Sequence, residues 1–253
     1  MGTVTSADGT VIGFETVGDG PPMVLVHGGT ADRTRWAPVL PELARQFTVH
    51  AVDRRGRGLS GDGEQYDIQR EGEGLAAVVA AVGTDVFVVG HSYGALCSLE
   101  AALRTDAIGR MVLYEPPAAT PGHSVSSPGM MAALRAARDS EEILRIFYRD
   151  ALHLTDEQID AMSGTPMWRA RLVAAPTIVR ELAAIEAFDI SARLSAIDVP
   201  VRLLLGTESP AYFRPAAAAI AAHLPDAAIV ELPGQAHMAI NEDPELFLAK
   251  ALA

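Results

Sequence analysis

The chain has 253 residues, a length that suits one large α/β domain or two small ones. Its 32 acidic residues outnumber its 20 basic residues and give a formal net charge of −12, which argues against a surface that binds nucleic acid. The single cysteine, Cys97, excludes both an intrachain disulfide and a zinc site built from cysteines.

The first part of the chain alternates short apolar runs with longer connecting segments. β-Branched residues on either side of Asp8-Gly9 predict a hairpin of two antiparallel strands. Four apolar runs follow, and the segments between them are long enough for crossover helices, which predicts a parallel sheet buried on both faces. These runs are MVLVHG at 23–28, FTVHAVD at 47–53, VFVVG at 86–90 and RMVLYE at 110–115.

From Pro116 to about Ser195 the pattern changes to helical segments with no strand candidate, among them SPGMMAALRAARD, SEEILRIFYRDAL and TDEQIDAM. Thr155 with Gln158 predicts a capping box at the start of the last of these. Strand patterns then resume at 201–206 and 228–234. An alanine-rich helix lies between them, at about 215–223, and a closing helix starts from about Asp243.

These patterns predict an α/β fold with an eight-stranded, mostly parallel sheet and helices on both faces. Residues 1–115 and 196–253 form the expected core domain. Residues 116–195 form an expected helical cap, inserted after the sixth strand, since loops are where insertions are tolerated.

A serine stands between two glycines in the segment VVGHSYGALC, residues 88–97. The letters GHSYG match G-x-S-x-G, a motif that carries meaning when a strand precedes it and a helix follows, as the flanking residues predict here. The helix N-terminus can then stabilise an oxyanion. This context favours Ser92 as a nucleophile over the alternative, a glycine-flanked turn serine without chemistry.

A serine nucleophile needs an adjacent base, usually histidine. Five of the seven histidines lie within a strand, beside Ser92, in the helical insertion or on a surface helix. His237 follows the last strand on a glycine-containing loop, over the carboxyl ends of the parallel strands, where ligands bind in open α/β sheets. We therefore assign His237 as the base, and His27, at the end of the first parallel strand, as a structural residue of its turn.

Four motifs resemble, in order, those of the α/β-hydrolase family: HGGTADRTRW, DRRGRGLS, GHSYG and GQAH. The resemblance extends over nearly the whole chain. It implies that Ser92 attacks, that His237 carries the proton, and that the backbone N–H groups of Gly29 and Tyr93 form the oxyanion hole. It also implies that the helical insertion covers the substrate.

The third member of the triad has two candidates. In most of this family the acid lies in a G-x-x-D loop before the histidine. Here that loop reads GTES at 206–209, so Ser209 holds the acid position and Glu208 comes one residue early. In some members, certain haloalkane dehalogenases among them, the acid follows the strand after the elbow, where this chain has Glu115. We prefer Glu115, which is placed to accept a hydrogen bond from His237, and keep Glu208 as the alternative.

Neither a cofactor nor a metal is expected. GRGLSG at 56–61 satisfies G-x-G-x-x-G but does not open a βαβ unit, and no metal-binding motif is present. The arginines Arg54, Arg55 and Arg57 of that loop are instead expected to hydrogen-bond the loops around the site. The helical insertion is rich in methionine and aromatic residues, without a clear cluster of charges, which favours an apolar or aromatic acyl group as substrate.

The sequence thus predicts a serine-dependent acyl-transfer enzyme, most simply a hydrolase of an ester or thioester that forms an acyl-Ser92 intermediate. Three alternatives stay open: an acyltransferase with an acceptor other than water, a lyase or cyclase that uses His237 as base, and a ligand-binding protein on the same fold. The expected partner is a small-molecule or carrier-bound acyl substrate, with no nucleic acid and no membrane. The opening residues lack a secretory-signal pattern, so we expect a cytoplasmic location.

Overall fold

The computed structural model describes residues 1–253 and contains a single eight-stranded sheet. Its strands are Gly2–Thr5 (β1), Val11–Val17 (β2), Pro22–Val26 (β3), Thr48–Val52 (β4), Val86–His91 (β5), Ile108–Tyr114 (β6), Val201–Gly206 (β7) and Ala227–Leu232 (β8). They lie in the order β1-β2-β4-β3-β5-β6-β7-β8. Strand β2 is antiparallel to β1 and β4, and all other neighbours are parallel. This arrangement confirms the predicted α/β fold.

Helices connect the strands and cover both faces of the sheet. They are Leu40–Leu43 (α1), Ile68–Val82 (α2), Tyr93–Ala102 (α3), Pro128–Ala136 (α4), Ser140–Asp150 (α5), Asp156–Met162 (α6), Pro166–Ala174 (α7), Ile178–Glu186 (α8), Phe213–Ala221 (α9), Ala239–Glu242 (α10) and Pro244–Leu252 (α11). A short 3-10 helix at Arg33–Trp36 follows β3. None of the helices is both long and apolar enough to span a membrane.

The continuous apolar runs form strands that are buried on both sides. In β3, Val24 and Val26 join the core cluster that includes residues of α2, α3 and α9, while Met23 and Leu25 join the cluster that includes residues of α1 and α11. Successive side chains of a strand point to opposite faces, so a strand between two helical layers needs apolar residues at every position.

Five helices, α4 to α8, lie between β6 and β7, where the sequence predicts helices only. The capping box predicted at Thr155 is present, because its side chain accepts from the Gln158 N–H while Gln158 accepts from the Thr155 N–H. Buried residues of these helices, such as Leu144 and Trp168, belong to the core cluster that also contains α2 and α3. Tyr148 of α5 also bonds Thr30 in the loop after β3, at 3.0 Å, so the segment contacts the end of the sheet where that loop lies.

Candidate active site

Ser92 lies in the turn between β5 and α3, with φ 56° and ψ −127°. Residues other than glycine rarely adopt this left-handed region, and such strain often marks a functional position. The Ser92 N–H donates to the Tyr114 carbonyl oxygen at 2.7 Å and fixes the turn against β6. A Cβ atom at Gly28 would lie only 2.8 Å from the Ser92 Cβ, so glycine is what lets the loop after β3 approach the serine.

His237 lies in the loop between β8 and α10, and its ring is paired with Glu115. The His237 Nδ1–H donates to Glu115 Oε2 at 2.5 Å, and both side chains are more than nine-tenths buried. Glu115 comes directly after β6 and has a left-handed backbone, φ 50°. The bond leaves the Nε2 atom of His237 free.

The Glu115 carboxylate is held from the neighbouring strand end. Its Oε1 accepts from the Gly206 N–H at 2.8 Å and from the Ser209 hydroxyl. Ser209 thus stands at the G-x-x-D position and bonds the carboxylate that β6 supplies. Glu208 is exposed, and its carboxylate accepts only from the Thr207 hydroxyl, at 3.3 Å. Of the two acid candidates, the structure therefore brings Glu115 to His237 and does not bring Glu208.

The loop around His237 is fixed on two sides. His91 Nε2 lies 3.2 Å from the His237 carbonyl oxygen, to which it donates, and its ring is 4.6 Å from the His237 ring. The Tyr114 hydroxyl donates to the Ala236 carbonyl oxygen and accepts from the Ala239 N–H at 3.2 Å. Burial, and then the neighbouring His237, lower the pKa of His91 far below its ordinary value, so this ring stays neutral.

Ser92 and His237 line the same small cavity, of about 30 Å³, together with Gly29. No hydrogen bond joins the Ser92 hydroxyl to His237, whose ring bonds to Glu115 alone. Such contacts are often long in a site without substrate and tighten when substrate binds. The nucleophile and base predicted from the sequence are therefore neighbours across one cavity.

Two backbone N–H groups near Ser92 are free, one on Gly29, which lines the cavity, and one on Tyr93, the next residue in the chain. The Gly29 N–H makes no hydrogen bond within the chain, and Tyr93 is the first residue of α3, so its N–H has no acceptor within the helix. The Tyr93 side chain contributes to another cluster: its hydroxyl lies 3.0 Å from the Tyr66 hydroxyl, and its ring lies under the Arg54 guanidinium.

His27 fixes the turn after β3. Its Nδ1–H donates to the Gly28 carbonyl oxygen at 2.8 Å, and its Nε2 accepts from the Arg54 N–H at 3.1 Å. Burial and the charge of Arg54 lower the pKa of His27 well below its ordinary value, so the ring is neutral and can make both bonds. These hydrogen bonds are those expected of a residue with a structural role in the turn after β3.

Two of the three arginines of the glycine-rich loop, Arg54 and Arg57, bond the loops around the site as the sequence predicts, and Arg55 does not. Arg54 donates to the His27 and Gly28 carbonyl oxygens and pairs with Glu181 of α8 at 2.9 Å. Arg57 pairs with the same carboxylate at 2.8 Å. Burial alone would raise the pKa of Glu181, but the two arginines hold it below its ordinary value. This cluster ties the helices after β6 to the loops at Ser92. Arg55 pairs with Asp8 instead, at 2.6 Å.

Sequence reasoning missed two arginines at the cavity. Arg35 and Arg171 line it beside Ser92, and each is less than a tenth exposed. Arg171 follows Trp168 by three residues on α7, so the helical period places it on the buried face of that helix. In the sequence, the signal for Arg171 was an arginine on the apolar face of a predicted helix.

No group of three or more His, Cys, Asp or Glu side chains is placed to hold a metal ion.

Comparison with known proteins gives the family and the fold. A model of the alpha/beta hydrolase family matches residues 23–250. The solved structure of an alpha/beta hydrolase from Sphaerobacter thermophilus is 34% identical, covers 100% of both chains and superposes with a TM-score of 0.84.

Two curated relatives carry more specific names. N-formylmaleamate deformylase of Pseudomonas putida is 35% identical over 109 residues, a match that spans 42% of this chain and only 41% of that protein. A putative carbamate hydrolase, RutD, of Agrobacterium fabrum is 25% identical over 245 residues, which is 94% of each chain. The first is named for removal of a formyl group and the second for hydrolysis of a carbamate.

Proposed function

The chain belongs to the alpha/beta hydrolase family, and we propose that it hydrolyses an ester or a related acyl bond through an acyl-Ser92 intermediate. The observation that carries this proposal is the 2.5 Å hydrogen bond from His237 Nδ1–H to Glu115, in a loop that shares a cavity with Ser92. A neutral imidazole held in this tautomer presents Nε2 as a base, and the buried carboxylate stabilises the imidazolium that forms.

In the first half of the reaction, the Ser92 oxygen attacks the substrate carbonyl carbon while His237 Nε2 takes the serine proton. The carbonyl oxygen becomes an oxyanion and accepts hydrogen bonds from the Gly29 and Tyr93 N–H groups, each worth roughly 10²- to 10³-fold in rate. When the tetrahedral intermediate collapses, the bond to the leaving group breaks, and His237 returns its proton to that group.

In the second half, water attacks the carbonyl carbon of acyl-Ser92. His237 takes one proton from the water, and the oxyanion forms again at the same two N–H groups. Collapse then breaks the bond to the Ser92 oxygen, which recovers its proton from His237 and releases the acid. The same arrangement serves an acceptor other than water, so the acyltransferase alternative differs only in what reaches the acyl enzyme.

Two larger cavities flank the cavity at Ser92, and we propose that they hold the two sides of the substrate. One, of about 520 Å³, shares Thr30 and Ala31 with it. The other, of about 600 Å³, shares Tyr148 and Leu152. Apolar side chains line parts of both cavities, and the Tyr148 ring lines the second, which supports the expected apolar or aromatic portion of the acyl group. One relative is named as a deformylase and another as a putative carbamate hydrolase. Substrates with a scissile C–N bond are therefore a second class to assay.

Labelling with a fluorophosphonate, followed by intact mass and peptide mapping, tests the nucleophile. We expect one adduct per chain, on Ser92, because an activated serine next to an oxyanion hole attacks phosphorus as it attacks a carbonyl. Ser92→Ala is expected to lose the label, whereas Ser195→Ala, at an exposed position, keeps it. A folded wild-type protein that takes no label, or a label that persists in Ser92→Ala, would contradict the proposal.

A further inference from the structure

Two of the buried arginines have no carboxylate partner. Arg35 is 8% exposed and Arg171 is 6% exposed, yet no Asp or Glu oxygen lies within ion-pair distance of either. The three other buried arginines, Arg54, Arg55 and Arg57, each pair with a carboxylate at 2.6–2.9 Å. Buried charges are normally paired, so the exception requires a reason.

Most donors of the two guanidinium groups are unused. Arg35 donates from Nη1 to the Asn241 side-chain oxygen, while its Nη2 is buried without a partner. Arg171 donates only to the Met167 sulfur, at 3.4 Å, and lies over the Tyr148 ring at 5.2 Å. Each guanidinium offers five N–H donors, so the pair has spare donors for a ligand.

The positive charges of Arg35 and Arg171 also repel each other in this buried site. Burial lowers the pKa of Arg35 to about 10, although Tyr114 and Glu242 act in the opposite direction. Burial and the nearby charge of Arg35 lower the pKa of Arg171 to about 10 as well. Both groups are still protonated near pH 7, so the site holds two positive charges that an anion would neutralise.

The position of Arg35 and Arg171 indicates that the anion is part of the substrate. Arg35 and Arg171 line the cavity at Ser92 and also the adjoining cavity of about 520 Å³, so they stand where the two meet. A molecule whose carbonyl reaches Ser92 from the larger cavity therefore passes both guanidinium groups. The planar fork of a guanidinium matches the two oxygens of a carboxylate, and two such groups side by side suit a carboxylate held near Ser92.

We propose that Arg35 and Arg171 together bind a carboxylate of the substrate, so that the enzyme acts on acyl compounds with a free carboxylate a few atoms from the scissile carbonyl. This inference rests on the proposed function, because it names the substrate class of the same site. An apolar connecting chain remains compatible with the apolar residues of the 520 Å³ cavity, but a wholly apolar acyl group would leave both guanidinium groups unpaired.

Two matched series of esters test the proposed carboxylate site. The monomethyl esters of succinate, glutarate and adipate are compared, length by length, with the methyl esters of the corresponding monocarboxylic acids, and kcat/KM is measured for each. Wild type is expected to prefer at least one charged ester over its neutral partner. Arg35→Met and Arg171→Met are expected to lower that preference about 10- to 100-fold each, because each removes charge-assisted hydrogen bonds. The preference is a ratio, so a partly unfolded variant does not distort it.

Arg169→Met is the control, since Arg169 is exposed on the same helix, and it is expected to keep the wild-type ratio. Binding of succinate and glutarate to Ser92→Ala, measured by calorimetry, supplies a readout without catalysis. It is expected to weaken by the same factor when either buried arginine is replaced.

The outcomes separate the two proposals. Ester hydrolysis with no preference for any charged ester, or a preference unchanged in both arginine variants, would overturn the carboxylate site and leave acyl-Ser92 catalysis standing. Dicarboxylate binding that depends on both arginines, in a protein that takes no fluorophosphonate label, would keep the carboxylate site and overturn the catalytic proposal. Binding of inorganic phosphate in place of both dicarboxylates would also overturn the inference.

Discussion

Glu115→Gln is expected to lower kcat by roughly 10⁴-fold while the protein stays folded, because the amide no longer holds His237 in the tautomer that presents Nε2 as a base. The carboxylate lies 2.5 Å from His237 Nδ1 and is fixed by the Gly206 N–H and the Ser209 hydroxyl. Glutamine has nearly the same shape, so the packing around this buried position is retained. The measurement is kcat on a p-nitrophenyl ester, with near-ultraviolet circular dichroism to verify the fold.

Glu208→Gln is the matched control for this variant. Glu208 is exposed and bonds only to the adjacent Thr207, so we expect kcat within about threefold of wild type. Equal losses in both variants would contradict the assignment of Glu115, and a larger loss in Glu208→Gln would show that the acid comes from the loop after β7.

Gly94→Ala adds a single methyl group, and we expect it to cause a large loss of stability. A Cβ atom at Gly94 would lie 2.4 Å from the carbonyl oxygens of both Val26 and His27, which are backbone atoms at the end of β3. Neither can rotate away, so α3 must shift from the sheet. Overpacking of this kind costs about 1–3 kcal/mol, and we expect the upper end, about 3 kcal/mol in the free energy of unfolding, measured with guanidinium chloride.

Gly129→Ala makes the same substitution where there is space. Gly129 lies in α4, and the nearest atom to its added Cβ would be the Ser127 hydroxyl oxygen at 3.8 Å. Alanine loses less conformational entropy in a helix than glycine, so this variant is expected to gain up to about 1 kcal/mol. If Gly94→Ala proved as stable as Gly129→Ala, the close contact of α3 with β3 would be wrong.

The sheet could be predicted because its signals are local. Strands such as β3 and β5 are largely unbroken apolar runs. The turn that holds Ser92 is recognisable from five consecutive residues, GHSYG at 90–94. His237 could be predicted for a similar reason, since it follows the last strand on a loop that ends at the same edge of the sheet as Ser92.

The acid could not be decided from the sequence because two loops at neighbouring strand ends both offer a carboxylate. Strands β6 and β7 are adjacent, so Glu115 and Glu208 start from the same edge of the sheet. What separates them is the direction of the chain after each strand. Glu115 takes a left-handed turn that brings its carboxylate under His237, while the residue after Glu208, Ser209, donates to it.

The sequence alone does not show that Arg35 and Arg171 meet at one cavity. One lies in the 3-10 helix after β3 and the other in α7, and only packing of the helices after β6 onto the sheet brings both to one cavity. An arginine also has many ordinary uses, as the pairs of Arg54 and Arg57 with Glu181 show. Its lack of a partner becomes visible only in three dimensions.

Carbamoylation is the most direct test for a covalent acyl group on Ser92. With p-nitrophenyl dimethylcarbamate, we expect release of one equivalent of nitrophenolate, loss of esterase activity, and a carbamoyl group on the peptide that contains Ser92, because carbamoyl-serine reacts only slowly with water. Nitrophenolate released at an undiminished rate by Ser92→Ala, or a carbamoyl group on any other residue, would contradict it.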